Sequence, residues 1–207
     1  MNQTLLYVAR HGRTSANAKG LFRGNLNPDL DAKGRADAEA LADYFKDICL
    51  AGIFYSDKKR STETAETIAR CHPNIPCYAT ESLWPWNVGM FSGQPKSPEN
   101  LRKLEHYIQN PGLPIPNGES LNDFKARIRP CLMEGMELAN KNGAPVLFVV
   151  HSSVIHEAGS MIDGDHNAAL VEPGGIAHIY TDGVCLKTEP LFKTAPQLSG
   201  SRADTVS

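Results

Sequence analysis

The sequence lacks long apolar runs, and it carries little excess charge of either sign. Apolar segments such as residues 146–150 are far shorter than the roughly 20 residues that a membrane-spanning helix needs. The formal net charge of −2 provides no general attraction to nucleic acid or to a membrane surface. We therefore expect neither nucleic acid nor a membrane as a partner.

Cysteine is also scarce, and the residues that could bind a metal are scattered. The five cysteines form no CxxC pair, and their odd number argues against a disulfide framework. The N-terminus has no basic start followed by a long apolar segment, so it does not predict a signal peptide. No HxH, HExxH or Cys/His cluster occurs. We expect a cytoplasmic protein that uses neither a metal nor an organic cofactor.

Strand-like and helix-like segments alternate along the chain. Short β-rich runs predict strands, and segments with apolar residues at helical spacing follow most of them. Strands are predicted at residues 5–9, 52–56, 75–80 and 146–150, followed by a late hairpin with Asp182 and Gly183 at its turn; helices are predicted at 31–50, 59–71, 97–109 and 119–142, with another after residue 151. This alternation predicts an α/β fold with a largely parallel sheet.

Three parts of the chain depart from this alternation. Residues 83–118 are rich in Pro, Gly and Asn, which predicts an insertion or lid over a site. Pro130 lies inside the helix predicted at 119–142 and suggests a kink or an interruption. Residues 193–207 are polar and are expected to form a disordered tail. The expected organisation is one domain over residues 1–192 and a tail.

Two of the predicted strands run directly into a histidine. His11 follows the first strand after Arg10, His151 follows the strand at 146–150, and Arg60 lies near a helix start after another strand. Because the carboxyl ends of parallel strands meet at one edge of a sheet, these four side chains predict an anion pocket. A histidine there can attack a phosphoryl group, although a lone histidine at a strand end is more often a polar cap. His156 lies close enough to His151 in sequence to deserve consideration too.

Several segments resemble the histidine phosphatase superfamily, which has the phosphoglycerate-mutase-like fold. "ARHGRTSAN" is similar to its RHG signature, and "YSDKKRSTETAETIA", "PNGESLNDFKARI" and "VLFVVHSS" follow in the expected order. The resemblance covers roughly residues 4–182. It implies a three-layer sandwich around a largely parallel central sheet.

The resemblance also implies roles for individual residues. His11 would be the nucleophile that becomes phosphohistidine, and Arg10, Arg60 and His151 would complete the phosphate pocket. The mouth of the pocket would be lined by three further residues, namely Asn17, Arg23 and Gly24. Asn17 has an alternative role as a turn residue. Ser152 would either cap the following helix or contact phosphate.

The general acid of the family is missing from its usual place. In "LWPWNVGMFSG", Leu83, Gly89 and Gly93 match the family pattern, but Pro85 stands where a glutamate is expected. Three explanations remain open. Another carboxylate could replace it, with Glu81 the nearest in sequence and Glu119 or Glu157 as others; the substrate could have a good leaving group; or the protein could be a weak or inactive catalyst.

These observations predict a phosphatase that hydrolyses a phosphate monoester or a related phosphoryl bond through phospho-His11. The expected partner is a phosphorylated small molecule or a phosphoprotein, and a homodimer is possible. Mutase activity is disfavoured, because the chain is shorter than the mutases of this family and lacks their extended segment after the arginine. The alternative is a non-catalytic module of the same fold that binds a phosphorylated ligand or a protein.

Overall fold

The computed structural model describes residues 3–163, 171–181 and 186–192. The strands are β1 (Gln3–Arg10), β2 (Gly52–Ser56), β3 (Cys77–Thr80), β4 (Val146–Val150), β5 (Ile176–Thr181) and β6 (Leu186–Phe192). The α-helices are α1 (Ser15–Ala18), α2 (Ala32–Phe45), α3 (Lys59–Ala69), α4 (Pro98–Gln109), α5 (Leu121–Asn142) and α6 (Ser152–Asp163). Two 3₁₀ helices cover Glu81–Leu83 and Gly89–Phe91.

The six strands form one mixed sheet in the order β3-β2-β4-β1-β5-β6. The first four strands in this order are parallel to one another, whereas β5 and β6 pair antiparallel at one edge. The central strands β2 and β4 are apolar and buried, as expected for strands covered on both faces, whereas β3 at the edge is mostly exposed. The fold class is therefore α/β with a largely parallel central sheet, as the sequence predicted.

Helices cover both faces of the sheet. Alternate residues of β1 point to opposite sides, so Leu6 and Val8 pack with α5 and α6, while Ala9 packs with α2 and α3. The segment 83–118 does not stand apart from these layers. Its residues Leu83 and Phe91 are buried in the same core cluster as Leu6, so the segment is anchored in the core.

Most of the predicted elements are confirmed, with one exception and two parts that lie outside the described residues. Pro130 does not interrupt its helix, because α5 runs without a break from Leu121 to Asn142. The strands of the late hairpin pair as predicted, but residues 182–185 at its turn are outside the described part. The tail at 193–207 is also outside it. Within the described ranges, no helix is both long and apolar enough to cross a membrane.

Candidate active site

The register of the two central strands brings the two predicted site histidines together. Arg10, the last residue of β1, pairs with Val150, the last residue of β4. The next residues along each strand, His11 and His151, therefore meet at the same edge of the sheet. Their ring centroids are 5.2 Å apart, and both side chains are buried. A backbone hydrogen bond from His11 N to Val150 O, 3.0 Å long, fixes this arrangement.

The loop that follows His11 is held by close backbone packing. A Cβ atom on Gly12 would lie 2.1 Å from the carbonyl oxygen of Gly34, and one on Gly34 would lie 1.9 Å from the carbonyl oxygen of Arg13. Only glycine fits at either position. Gly12 N also donates to Thr64 Oγ1 at 3.1 Å, which links the loop to α3. The glycine after His11 is thus explained by the approach of the loop to α2.

The hydrogen bonds of His11 determine which ring nitrogen carries the proton and which one has the lone pair. Nδ1 lies 2.7 Å from the carbonyl oxygen of Gly12, which can only accept, so Nδ1 carries the proton. Nε2 then has a lone pair, and it accepts from Nε of Arg60 at 3.2 Å. Burial, followed by repulsion from Arg60 and Arg10, lowers the pKa of His11 well below 6.5. The imidazole is therefore neutral at pH 7, the form that a nucleophile requires.

Three guanidinium groups surround the histidines without a matching carboxylate. Burial and the neighbouring charge of Arg23 lower the pKa of Arg60 to about 9 and that of Arg10 to about 10. Within the described part of the chain, none of Arg10, Arg23 and Arg60 forms an ion pair, although Glu172 attracts Arg10. Concentrated positive charge of this kind favours binding of an anion.

Two buried polar atoms at this site have no hydrogen-bond partner among the described residues. They are Nε of Arg10 and Nδ1 of His151. The other ring nitrogen of His151, Nε2, is 2.9 Å from Oγ of Ser56 at the end of β2. Buried polar atoms are nearly always paired with protein or water, so these two atoms are available to a bound ligand. A phosphoryl group would offer several acceptor oxygens to such donors.

A cavity of about 740 Å³ opens next to these groups. Arg10, Arg60 and His151 line it, whereas His11 is fully buried and is not among the lining residues. Segment 83–118 and helices α4 and α5 contribute apolar side chains to its wall; these are Pro85, Trp86, Val88, Leu104, Ile108, Pro111, Leu121 and Phe124. The predicted insertion therefore forms one wall of the site.

Of the predicted binding residues, all but Asn17 line the cavity. Arg23, Gly24 and Ser152 line the cavity, as does His156. Asn17 is not among the lining residues; its side chain accepts from N and Oγ1 of Thr14 and so completes the cap of α1. The geometry thus favours the turn role of Asn17, and its contact with substrate stays a prediction.

None of the three candidate replacement acids is free and facing the cavity. Glu81 is exposed and is not among the residues that line the cavity. Glu119 accepts from Nη2 of Arg127 at 2.8 Å and also lies outside the lining. Glu157 does line the cavity, but its two oxygens are paired with Arg129 and Lys125. Pro85, where the resemblance predicts the family's glutamate, also lines the cavity.

Sequence reasoning missed two residues that shape the site. Lys96 lines the cavity, and burial together with the charges of Arg23 and Arg10 lowers its pKa. Arg127 on α5 donates from Nη1 to the carbonyl oxygens of Ser82 and Trp84, and so holds the chain next to Pro85. Neither residue could be identified from its neighbours in the sequence, because the fold of segment 83–118 creates the contacts that each one makes.

The carboxyl edge of the parallel sheet thus carries a buried neutral imidazole, a second imidazole and arginines without ion pairs among the described residues. This arrangement is suited to binding an anion. Residues 6–170 match the family model of the histidine phosphatase superfamily (branch 1). The chain belongs to this superfamily, which contains phosphatases and mutases.

Individual relatives include both kinds of enzyme. A 2,3-bisphosphoglycerate-dependent phosphoglycerate mutase from Methylobacterium sp. (strain 4-46) is 32% identical over 172 residues, which are 78% of this chain and 82% of the relative. A Hydrogenobacter thermophilus protein, named provisionally as phosphoserine phosphatase 2, is 26% identical over 86% of this chain and 90% of its own. The crystal structure of phosphoglycerate mutase from Bacillus anthracis str. Sterne superposes with a TM-score of 0.76, at 26% identity and 92% coverage of both chains.

These comparisons overturn one step of the sequence argument. Mutase activity was disfavoured because the chain is short, yet the match to the Methylobacterium mutase extends over 82% of that protein. Length therefore does not separate this chain from the mutases. The distinction has to come from the site itself.

Proposed function

We propose that the protein is a phosphatase that hydrolyses a phosphate monoester or a related phosphoryl bond through a phosphohistidine at His11. The observation that carries the proposal is the hydrogen-bonding of this imidazole. Nδ1 is committed to Gly12 O, so the lone pair of Nε2 points toward the buried arginine Arg60. Burial keeps the ring neutral. A nucleophile is thus oriented inside a cationic site.

Two transfers complete the reaction. Nε2 of His11 forms a bond to phosphorus while the bond from phosphorus to the leaving oxygen breaks. Since Nε of Arg60 lies against Nε2 in the free protein, the arriving phosphoryl group takes over that hydrogen bond. Arg10, Arg60 and His151 then stabilise the charge that spreads over the equatorial oxygens. Water attacks the phosphohistidine in the second transfer, which releases phosphate and restores His11.

The first prediction is that His11→Ala abolishes turnover of p-nitrophenyl phosphate, because the proposed reaction forms its phosphohistidine on Nε2 of His11. The activated phenolate leaving group needs little protonation, so the missing acid does not prevent detection of wild-type activity. We expect a rate loss of at least roughly a thousandfold, together with loss of an acid-labile phosphoenzyme after quenching. His106→Ala, at an exposed histidine, is the matched control.

A mutase is the second candidate, favoured by the relatives that carry this name. It would return the phosphoryl group to a second hydroxyl of the substrate instead of to water. Incubation with 3-phosphoglycerate and a trace of 2,3-bisphosphoglycerate separates the two, since a mutase forms 2-phosphoglycerate and a phosphatase forms inorganic phosphate. Formation of 2-phosphoglycerate as the main product would replace the phosphatase proposal.

A non-catalytic binding module is the third candidate, favoured by Pro85 at the position of the acid. The oriented lone pair of His11 argues against it, because binding alone needs donors and not a nucleophile. The proposal further includes a phosphorylated small molecule or phosphoprotein as substrate, possible homodimerisation and a cytoplasmic location. Free thiols at the four described cysteines accord with that location.

A further inference from the structure

Segment 83–118 and α5 contribute apolar side chains that form much of the cavity lining; together they are called the apolar wall. Trp86, Leu104, Ile108, Leu121 and Phe124 all belong to it. The total volume of about 740 Å³ lies in the range of cavities that hold drug-sized ligands. A phosphoryl group occupies only a small part of such a space. The rest of the cavity is left for the group that the phosphoryl is attached to.

Three polar groups among the residues of this lining are committed to other partners. The indole nitrogen of Trp86 donates to the carbonyl oxygen of Glu119 at 3.3 Å. Ser153 Oγ accepts from the backbone nitrogen of Trp86, and Lys125 pairs with Glu157. A sugar buried here would leave several hydroxyls without partners, which costs free energy. An aromatic ring would instead replace water against apolar surface.

The position of the missing acid lies in the same wall. Pro85 lines the cavity beside Trp86 and has no proton to donate. The carboxylate of Glu157, also in the lining, is paired with Arg129 and Lys125. Of the two other carboxylates that line the cavity, Glu105 accepts from Nε2 of Gln109 at 3.3 Å and Glu172 attracts the guanidinium of Arg10. With all three carboxylates held by other groups, a leaving oxygen departs without protonation. Cleavage is then fast only when the leaving group is a stable anion, as an aryloxide is and an alkoxide is not.

From these two features we infer that the substrate is an aryl phosphate, whose aromatic ring lies against Trp86 and Phe124. The inference rests on the proposed phosphatase function and names its substrate class. In the first transfer the bond from His11 Nε2 to phosphorus forms as the bond from phosphorus to the aryl oxygen breaks. The electron pair stays on that oxygen, and solvent water protonates the released aryloxide.

The first test compares phenyl phosphate with cyclohexyl phosphate. The two are similar in size, but the leaving group of cyclohexyl phosphate is an alkoxide. An enzyme with a general acid cleaves both at comparable rates, whereas the inference predicts that kcat/KM is at least roughly a hundredfold higher for phenyl phosphate. Glucose 6-phosphate, as a polar sugar ester, should also be a poor substrate. Comparable turnover of cyclohexyl phosphate or glucose 6-phosphate would overturn the inference and leave the phosphatase proposal intact. Failure to cleave even p-nitrophenyl phosphate would overturn the proposed function itself.

A second test addresses the apolar wall. KM should be roughly tenfold lower for 2-naphthyl phosphate than for phenyl phosphate, because the second ring buries more apolar surface. Ile108→Asn should remove most of this advantage, since Ile108 is 44% exposed and lines the cavity. Leu101→Asn is the matched control on the same helix: Leu101 is 46% exposed and is not a lining residue. Equal effects of the two variants would contradict the assignment of this wall to the leaving group.

A phosphotyrosyl peptide is also an aryl phosphate, and its rate of cleavage distinguishes a protein substrate from a small molecule. A kcat/KM for the peptide well above that for phenyl phosphate would identify a protein substrate. A value well below that for 2-naphthyl phosphate would identify a small molecule. Either result supports the aryl phosphate inference.

Discussion

At the scale of single residues, the proposed chemistry depends on His11 and on the position that Pro85 occupies. His11 keeps the orientation and the neutral charge state that a nucleophile needs. Pro85 stands where the resemblance to the family predicts the acid that protonates the leaving group, and it lines the cavity. Nucleophilic attack and protonation of the leaving group are separate contributions to the rate. The loss of one changes which substrates react without abolishing the chemistry.

Because the two contributions are separate, a carboxylic acid introduced at position 85 should add protonation of the leaving group. Pro85→Glu should raise kcat/KM for cyclohexyl phosphate by roughly tenfold or more, because a carboxyl group at this place can donate a proton to an alkoxide. Pro85→Gln is the matched control, since it makes the same change in backbone and size but cannot act as an acid. Kinetics of both variants with phenyl and cyclohexyl phosphate check the prediction. Equal rates for Glu and Gln would mean that protonation from position 85 does not limit the reaction.

At the scale of secondary structure elements, the site depends on how closely the loop after β1 approaches α2. Gly12 and Gly34 allow their backbones to touch, and Gly12 N is bonded to Thr64 on α3. The loop, α2 and α3 thus together fix the position of His11. Gly34 lies in the first turn of α2, where any other residue would favour the helix. Its presence there is explained by packing, not by propensity.

We therefore predict that Gly34→Ala lowers both stability and activity. Its Cβ would lie 1.9 Å from a backbone oxygen of Arg13, so the loop must move away from α2. We expect a loss of about 1–3 kcal/mol in the free energy of unfolding, despite a gain of up to about 1 kcal/mol in helix propensity, and a clear fall in kcat. Gly112→Ala serves as control, because its new Cβ would meet nothing closer than 3.7 Å. Urea unfolding and p-nitrophenyl phosphate turnover measure the two effects, and a fully active Gly34→Ala would show that the loop does not depend on this packing.

The elements also show what could be predicted from the sequence. The positions of His11 and His151 follow from two apolar strands that end at the same sheet edge, so simple topology predicts their meeting. The uninterrupted course of α5 through Pro130 was not predictable, because local chemistry opposes it at a cost of about 3 kcal/mol. Burial of neighbouring residues such as Ile128 and Leu132 offsets that cost. Lys96 and Arg127 were missed for a similar reason, since tertiary packing alone brings them to the site.

At the scale of the whole molecule, the cluster of buried arginines and histidines at the sheet edge lowers the free energy of unfolding. These groups have lost hydration, and none of them forms an ion pair among the described residues. The lowered pKa values of Arg10, Arg60, His11 and His151 express this cost. An anion that binds only the folded state raises the stability of the protein by mass action. The lowered pKa values of the two histidines also make the stability depend on pH.

The two buried histidines determine the direction of this link. Burial is the main cause that holds the pKa of His151 well below 6.5, and the charge of Arg60 adds to it. Unfolded chains bind the proton near pH 6.5, so below that pH the unfolded state carries more protons than the folded state. The free energy of unfolding therefore falls as pH decreases from about 6.5 toward the lowered folded pKa, by up to about 1.4 kcal/mol per pH unit for each histidine.

We predict that His151→Gln makes unfolding less dependent on pH than in the wild type. The slope between about pH 6 and pH 5 should decrease by up to about 1.4 kcal/mol per pH unit, because a glutamine has no proton to gain on unfolding. His106→Gln, at an exposed site on α4, should leave the slope unchanged. Urea unfolding in phosphate-free buffer measures it, since phosphate would bind the folded state and mask the effect. An unchanged slope for His151→Gln would mean that His151 already carries its proton in the folded protein, and the site would then be still more cationic before its substrate arrives.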